Sequence, residues 1–111
     1  MVSVAWHIDN ALDANKLFYW TLPWGATLWH VSAVASNDSD ATLMLGDSGD
    51  TDQAMAAAVI GDSGTPVEFE FSDFTSPHFV EDDVFTATVD YDGSSGTAAE
   101  DMTVVFTFLV G

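Results

Sequence analysis

Hydrophobic and polar residues alternate with a period of two through most of the chain, the pattern of strands that bury one face. Within residues 3–9, Val4, Trp6 and Ile8 share a face, and within 41–45 Ala41, Leu43 and Leu45 do. Residues 27–35 divide into Leu28, His30, Ser32 and Val34 against Trp29, Val31, Ala33 and Ala35. The clearest case is 67–71, with Val67, Phe69 and Phe71 opposed by Glu68 and Glu70. Residues 84–91 set Phe85, Ala87, Val89 and Tyr91 against Val84, Thr86, Thr88 and Asp90, and 103–110 places Val104, Phe106, Phe108 and Val110 together. Val67, Phe69, Phe71, Phe85, Val89, Val104, Phe106 and Phe108 are therefore the expected core.

Turn-forming clusters separate these runs: Asn37–Asp40, Gly46–Asp50, Gly61–Pro66 and Asp92–Gly96. Gly, Asn, Asp and Ser supply positive φ and local side-chain-to-backbone hydrogen bonds. One helix is expected, capped by Asp50 or Thr51, running through the Ala-rich residues 52–60 and stopped by Gly61. About seven short strands and at most one short helix predict an all-β chain: a single antiparallel β-sandwich domain over 1–111, jelly-roll-like in character.

The segment Leu17–Trp24 breaks the alternation. Consecutive Phe18, Tyr19 and Trp20 must point to both faces of a strand, so one face enters the core and the other needs a cover. Either another segment of the chain covers it, or Phe18, Tyr19, Trp20 and Trp24 form an interface, where Trp and Tyr are enriched.

Charge changes the picture most. Eighteen Asp and Glu face one Lys and no Arg, a formal net charge of −17 over 111 residues. Nucleic-acid backbones and anionic membranes are repelled by such a surface, and phosphoryl chemistry lacks its cationic clamp. The high content of Val, Phe, Trp and Leu argues against acidic disorder. Mimicry of nucleic acid is one reading of the charge. Adaptation to concentrated salt is the better one, because basic residues are missing throughout and at about 1 M salt the Debye length falls to about 3 Å. No cysteine is present, which removes disulfides and cysteine-based zinc sites. The start, Met1–His7, lacks the features of a signal peptide, and no apolar run is long enough to span a bilayer.

Candidate chemistry is sparse. Gly46–Gly49 and Gly61–Gly64 both read Gly-Asp-Ser-Gly, similar to nucleophile segments of chymotrypsin-like proteases, and Val59–Ser63 resembles the opening motif of GDSL-type esterases. The first family needs two barrels and the second a doubly wound α/β fold, so two similar turns are the simpler reading of Ser48 and Ser63. Asp47, Asp50 and Asp52 crowd one turn and Asp90 and Asp92 another, with hard oxygen ligands suited to Ca²⁺. Neither matches an EF-hand loop. His7, His30 and His78 show no metal-ligand spacing. Trp20, Trp24, Trp29 and Tyr91, with nearby carboxylates, supply the parts of a carbohydrate platform.

Ile60–Pro66, Val89–Gly93 and Gly96–Phe108 resemble small virion proteins of tailed phages and haloarchaeal tailed viruses. The resemblance implies a short β-sandwich decorating a capsid or forming its turrets and fibres, located on the virion. It implies contacts with the major capsid protein or other virion proteins and self-association, with a trimer the natural geometry about a symmetry axis. The expected function is thus a non-enzymatic structural protein of a virus particle, with no cofactor unless calcium, and no nucleic-acid or membrane partner. The alternative is a carbohydrate- or calcium-binding β-sandwich module.

Overall fold

The computed structural model describes residues 1–61, 64–91 and 96–110. Among the described residues nine strands follow in order: β1 (Val2–Ala11), β2 (Lys16–Thr21), β3 (Ala26–Val34), β4 (Thr42–Asp47), β5 (Met55–Val59), β6 (Val67–Glu70), β7 (His78–Phe79), β8 (Val84–Asp90) and β9 (Glu100–Val110). They form two sheets, ordered β1-β9-β3-β6 and β2-β8-β4-β5, in which every pair is antiparallel. β7 continues the edge begun by β6, pairing with Ala26 and Thr27 where β6 pairs with His30 to Ala33.

Rings packed across the interior fix how the sheets stack. Trp6 lies 5.5 Å from Phe18, setting β1 over β2, and Phe106 lies 5.1 Å from Phe85, setting β9 over β8. The sheet orders then set β3 over β4 and β6 over β5. Successive strands cross repeatedly from one sheet to the other, so the connectivity is that of an eight-position jelly roll. The core holds Leu28, Val31, Leu43, Leu45, Phe85, Val89, Val104, Phe106 and Phe108, closed at its ends by Leu12, Leu22 and Ile60.

Three local features differ from the sequence expectations, and a fourth accounts for a repeated motif. The Ala-rich stretch is not a helix: Met55–Val59 is β5, paired with β4 through Leu43↔Ala58 and Leu45↔Met55. Alanine's helix propensity is a weak prior, and so short a helix is marginal alone. As a strand the segment buries Ala54, Met55 and Ile60. Among the described residues the one helical turn is a 3₁₀ turn, Phe71–Asp73.

That turn causes the second difference. It interrupts the edge strand, and Phe71, expected in the core, is 39% exposed. Phe74 and Phe79 are buried further along instead. Val67 and Phe69 do point inward but stay half-buried, because β6 is an edge strand covered on one side only. Third, a bulge between Leu28 and His30 shifts the phase of β3. The buried set therefore runs Leu28, Val31, Ala33 and Ala35 rather than following strict alternation.

The fourth feature explains the Gly-Asp-Ser-Gly motif. A side chain at Gly46 would run into the backbone of Asp50 and Thr51, where the β4–β5 turn folds back on the sheet. One at Gly61 would run into the backbone of Ser39. Glycine is needed at both points for close approach of two backbones.

Candidate functional site

Strand β2 is the edge of its sheet, and its residues alternate cleanly. Phe18 and Trp20 point inward: Phe18 stacks between Trp6 and Phe106, and Trp20 meets Phe108 edge-on at 5.5 Å. Both are half-buried, since no further strand covers their edge. Trp24, in the β2–β3 connection, packs edge-on against Trp20 at 5.8 Å and is also half-buried. Tyr19 points away from the core and is 61% exposed, beside Leu17 at 47%. Of the four aromatic residues singled out in the sequence, Tyr19 is thus the one that presents its ring outward.

The register extends this surface across the sheet. Leu17 pairs with Thr88, which pairs with Met44, and Tyr19 pairs with Thr86, which pairs with Gly46. Thr21 and Val84 form the next row, and Thr42 with Val59 the outermost. None of these side chains is charged. Carboxylates enter this face through Asp90, which pairs with Thr42, and through the β4–β5 turn of Asp50 and Asp52, which folds over Gly46; Asp47 instead pairs with the inward Phe85. Thr86 is fully buried beneath the folded-back β4–β5 turn and donates its hydroxyl to the Asp47 carbonyl at 3.3 Å. Thr88 Oγ1 is buried with no hydrogen-bond partner, closed over between Leu17 and Met44. Leu17, Met44 and Thr88 were not singled out in the sequence; the alternation of β2, β4 and β8 places them outward, but only pairing shows that they share a row.

The outer face of the other sheet has a different chemistry. His7, His30 and His78, dispersed in sequence, all lie on it. His7 Nδ1 is 2.7 Å from Thr103 Oγ1, and its Nε2 is 2.7 Å from Asp9. His30 Nε2 lies 3.3 Å from Glu68, and His78 Nδ1 lies 2.9 Å from Thr27 Oγ1. The Thr103–His7–Asp9 chain has the order of a hydroxyl–imidazole–carboxylate relay. It sits on an open sheet face with the Asp9 side chain 81% exposed, where water screens it. It reads as cross-strand hydrogen bonding rather than an activated nucleophile, which needs a base oriented in a protected site.

The remaining sequence candidates lie in turns. Asp47 Oδ1 accepts the backbone N–H groups of Gly49 and Asp50 at 2.9 and 2.8 Å, which makes Asp47 the organiser of the first Gly-Asp-Ser-Gly turn, with Ser48 exposed beside it. Asp50 is hydrogen-bonded to the Asp52 carboxyl, which raises its pKa above the ordinary carboxylate value, with a smaller push from burial and from the Asp52 charge. Asp90 is far from this turn: it pairs with Thr42, at the opposite end of β4 from Asp47. Among the described residues no three His, Asp or Glu are grouped to hold a metal. Asp62, Ser63 and Asp92 lie outside the described residues. Of the aromatic residues proposed as a sugar platform, Trp20, Trp24 and Tyr91 pack against the core, whereas Trp29 is 42% exposed on the histidine-bearing face.

No protein-family model matches the chain, and no curated protein does. Among solved structures, a chain in the capsid of Ralstonia phage GP4 is similar with a TM-score of 0.62 and 19% sequence identity, covering 98% of this chain and 83% of that one. A chain of the cyanophage Pam1 capsid asymmetric unit is 17% identical over 98% of this chain and 85% of that one, at a TM-score of 0.47, too loose to add to the first. The two-sheet sandwich described above is therefore a fold shared, over nearly its whole length, with a chain from a phage capsid.

Proposed function

We propose that this protein is a non-enzymatic structural component of a virus particle, located on the virion, where it decorates or stabilises the capsid surface. The observation that carries the reading is the fold shared with a chain of a phage capsid over 98% of this chain and 83% of the other, which leaves little of either outside the match. Jelly rolls serve several functions, among them capsid building, so the surface must supply the rest. It does so through the uncharged outer face of the β2-β8-β4-β5 sheet. In a chain of formal charge −17, the exposed Leu17, Tyr19 and Thr21 with the half-buried Met44 and Val84 form the patch where another acidic protein can approach without carboxylate meeting carboxylate.

Self-association and contact with other virion proteins are assigned to this face, with Tyr19 and Leu17 on its edge strand β2 and the half-buried Phe18, Trp20 and Trp24 packed behind them. The missing basic residues suit a particle that works in concentrated salt, where screening removes most of the repulsion between neighbours. The role is tested by mass spectrometry of gradient-purified particles from the culture that carries the gene. The chain is expected at a copy number comparable with that of the shell protein. Its recovery only from the particle-free lysate would overturn the reading.

A further inference from the structure

We propose that the depression on the outer face of the β1-β9-β3-β6 sheet, bounded by Trp29 and Phe71, binds a neutral sugar ring. Two irregularities of otherwise regular strands meet there. The bulge in β3 turns Trp29 outward next to His30. The end of β6 at Glu70 turns Phe71 outward, held by a reciprocal cap in which Asp73 accepts the Glu70 N–H at 2.8 Å and Glu70 accepts the Asp73 N–H. Trp29 and Phe71 then pack with centroids 5.2 Å apart, yet remain 42% and 39% exposed. Apart from Tyr19, every other aromatic ring of the chain is buried or half-buried. The depression holds about 390 Å³ and is lined by Trp29, His30, Glu70, Phe71 and Ser72.

The polar groups around the rings select the ligand. Ligand sites pair an apolar wall with a few convergent polar groups, and this volume lies at the lower end of the range of about 300–1,000 Å³ such sites occupy. Sugar hydroxyls both donate and accept hydrogen bonds. Here Glu70 accepts, the Ser72 hydroxyl does both, and His30, whose Nε2 faces Glu68 at 3.3 Å, leaves Nδ1 to accept when neutral. The C–H face of a pyranose ring is the apolar surface that fits against an exposed indole or phenyl ring. Anionic ligands are disfavoured by Glu70, by Glu68 beside His30, and by the overall charge. A guanidinium or ammonium would be drawn to the carboxylates and rings. It only donates, however, so it would leave the Ser72 hydroxyl proton without an acceptor. The neutral polyol matches the whole donor and acceptor set. This site lies on the opposite face of the sandwich from the assembly face, and its function does not depend on the chain being part of a particle.

The purified protein is titrated with a panel of neutral oligosaccharides built on glucose, galactose, mannose and N-acetylglucosamine, with polygalacturonate and an arginine-rich peptide as the anionic and cationic probes. Binding is read by tryptophan fluorescence and calorimetry. At least one neutral oligosaccharide is expected to bind and to lose at least about tenfold in affinity in Trp29→Ala and in Glu70→Gln, but not in Tyr19→Ser. Circular dichroism and the melting curve report whether each variant is folded. Because Trp29 lies outside the core, Trp29→Phe serves as a milder second variant, expected to retain partial binding. Silence across the neutral panel, preference for polygalacturonate or the basic peptide, or neutral-sugar binding indifferent to Trp29 would each overturn the assignment. Failure of this assay leaves the particle's composition untouched, so the two proposals fail separately.

Discussion

The two outer faces of this sandwich come from strands with the same alternation of inward and outward residues, but they hold opposite kinds of side chain. The β2-β8-β4-β5 face is uncharged across Leu17, Thr88 and Met44 and across Tyr19, Thr86 and Gly46. The β1-β9-β3-β6 face carries all three histidines together with Asp9, Glu68 and Glu70. Most of the other acids occupy turns, as at Asp38, Asp40, Asp50, Asp52, Asp82 and Asp83. A chain of formal charge −17 has thus kept the Leu17, Tyr19 and Met44 part of one face clear of carboxylates, which return at Asp90 and in the β4–β5 turn over Gly46. The lesson is that the position of the charge, which its total does not reveal, distinguishes the faces.

The largest effect expected on breaking this arrangement lies beneath both faces. Phe85→Ala or Phe106→Ala removes a ring that packs across the whole interior and should lower stability by about 3–5 kcal/mol. Phe71→Ala, on the surface, should change it by less than about 1 kcal/mol. Urea denaturation measures both, and equal losses would place Phe71 in the core after all.

Salt acts next. Net self-repulsion destabilises the compact state more than the expanded one, so the melting temperature should rise by about 5 °C or more between about 0.05 and 2 M potassium chloride, equivalent to roughly 1 kcal/mol in a domain this size. A flat response would remove the argument for a saline habitat.

A smaller gain is expected from Thr88→Val. It keeps the branched shape and deletes a buried hydroxyl that has no partner, so stability should increase by about 1 kcal/mol. A loss instead would show that the hydroxyl is satisfied in solution.

The smallest effect concerns the Asp50–Asp52 pair. The hydrogen bond from Asp52, more than burial or charge, lifts the Asp50 pKa above its ordinary value near 3.8. A carboxyl whose folded pKa is raised contributes stability below its unfolded pKa and loses that contribution as pH rises through the folded one. NMR titration should therefore find Asp50 holding its proton to higher pH than a free aspartate, and Asp52→Asn should lower that midpoint. An unchanged midpoint in the variant would show that the neighbour is not the cause.

Much of this molecule was legible in its residues. The period of two in 84–91 and 103–110 predicted both strands and their buried faces, because central strands force one face into the core. Edges were less legible. Val67, Phe69 and Phe71 carry the same alternation as a central strand, and nothing local to them indicates that β6 has a neighbour on one side only and ends at Glu70. The bulge at Trp29 was equally hidden, since it depends on how β3 pairs with β9. Helix propensity misled at Ala54–Ala58, where pairing with β4 outweighed local preference. The same limits shaped the candidate sites. Tyr19 was readable from consecutive aromatics that cannot all turn inward, whereas the Trp29–Phe71 depression exists only because two irregularities coincide in space.

The central claim, that the uncharged face is the one used in assembly, is tested most directly by sedimentation velocity of the purified protein in about 2 M potassium chloride, where the Debye length is shorter than about 3 Å. The wild type is expected to sediment as an oligomer, and the double variant Leu17→Ser, Tyr19→Ser as a monomer with an unchanged β-rich circular dichroism spectrum, while Trp29→Ala on the opposite face remains oligomeric. A wild type that is monomeric under these conditions, or an oligomer that survives loss of Leu17 and Tyr19 but not of Trp29, would contradict it.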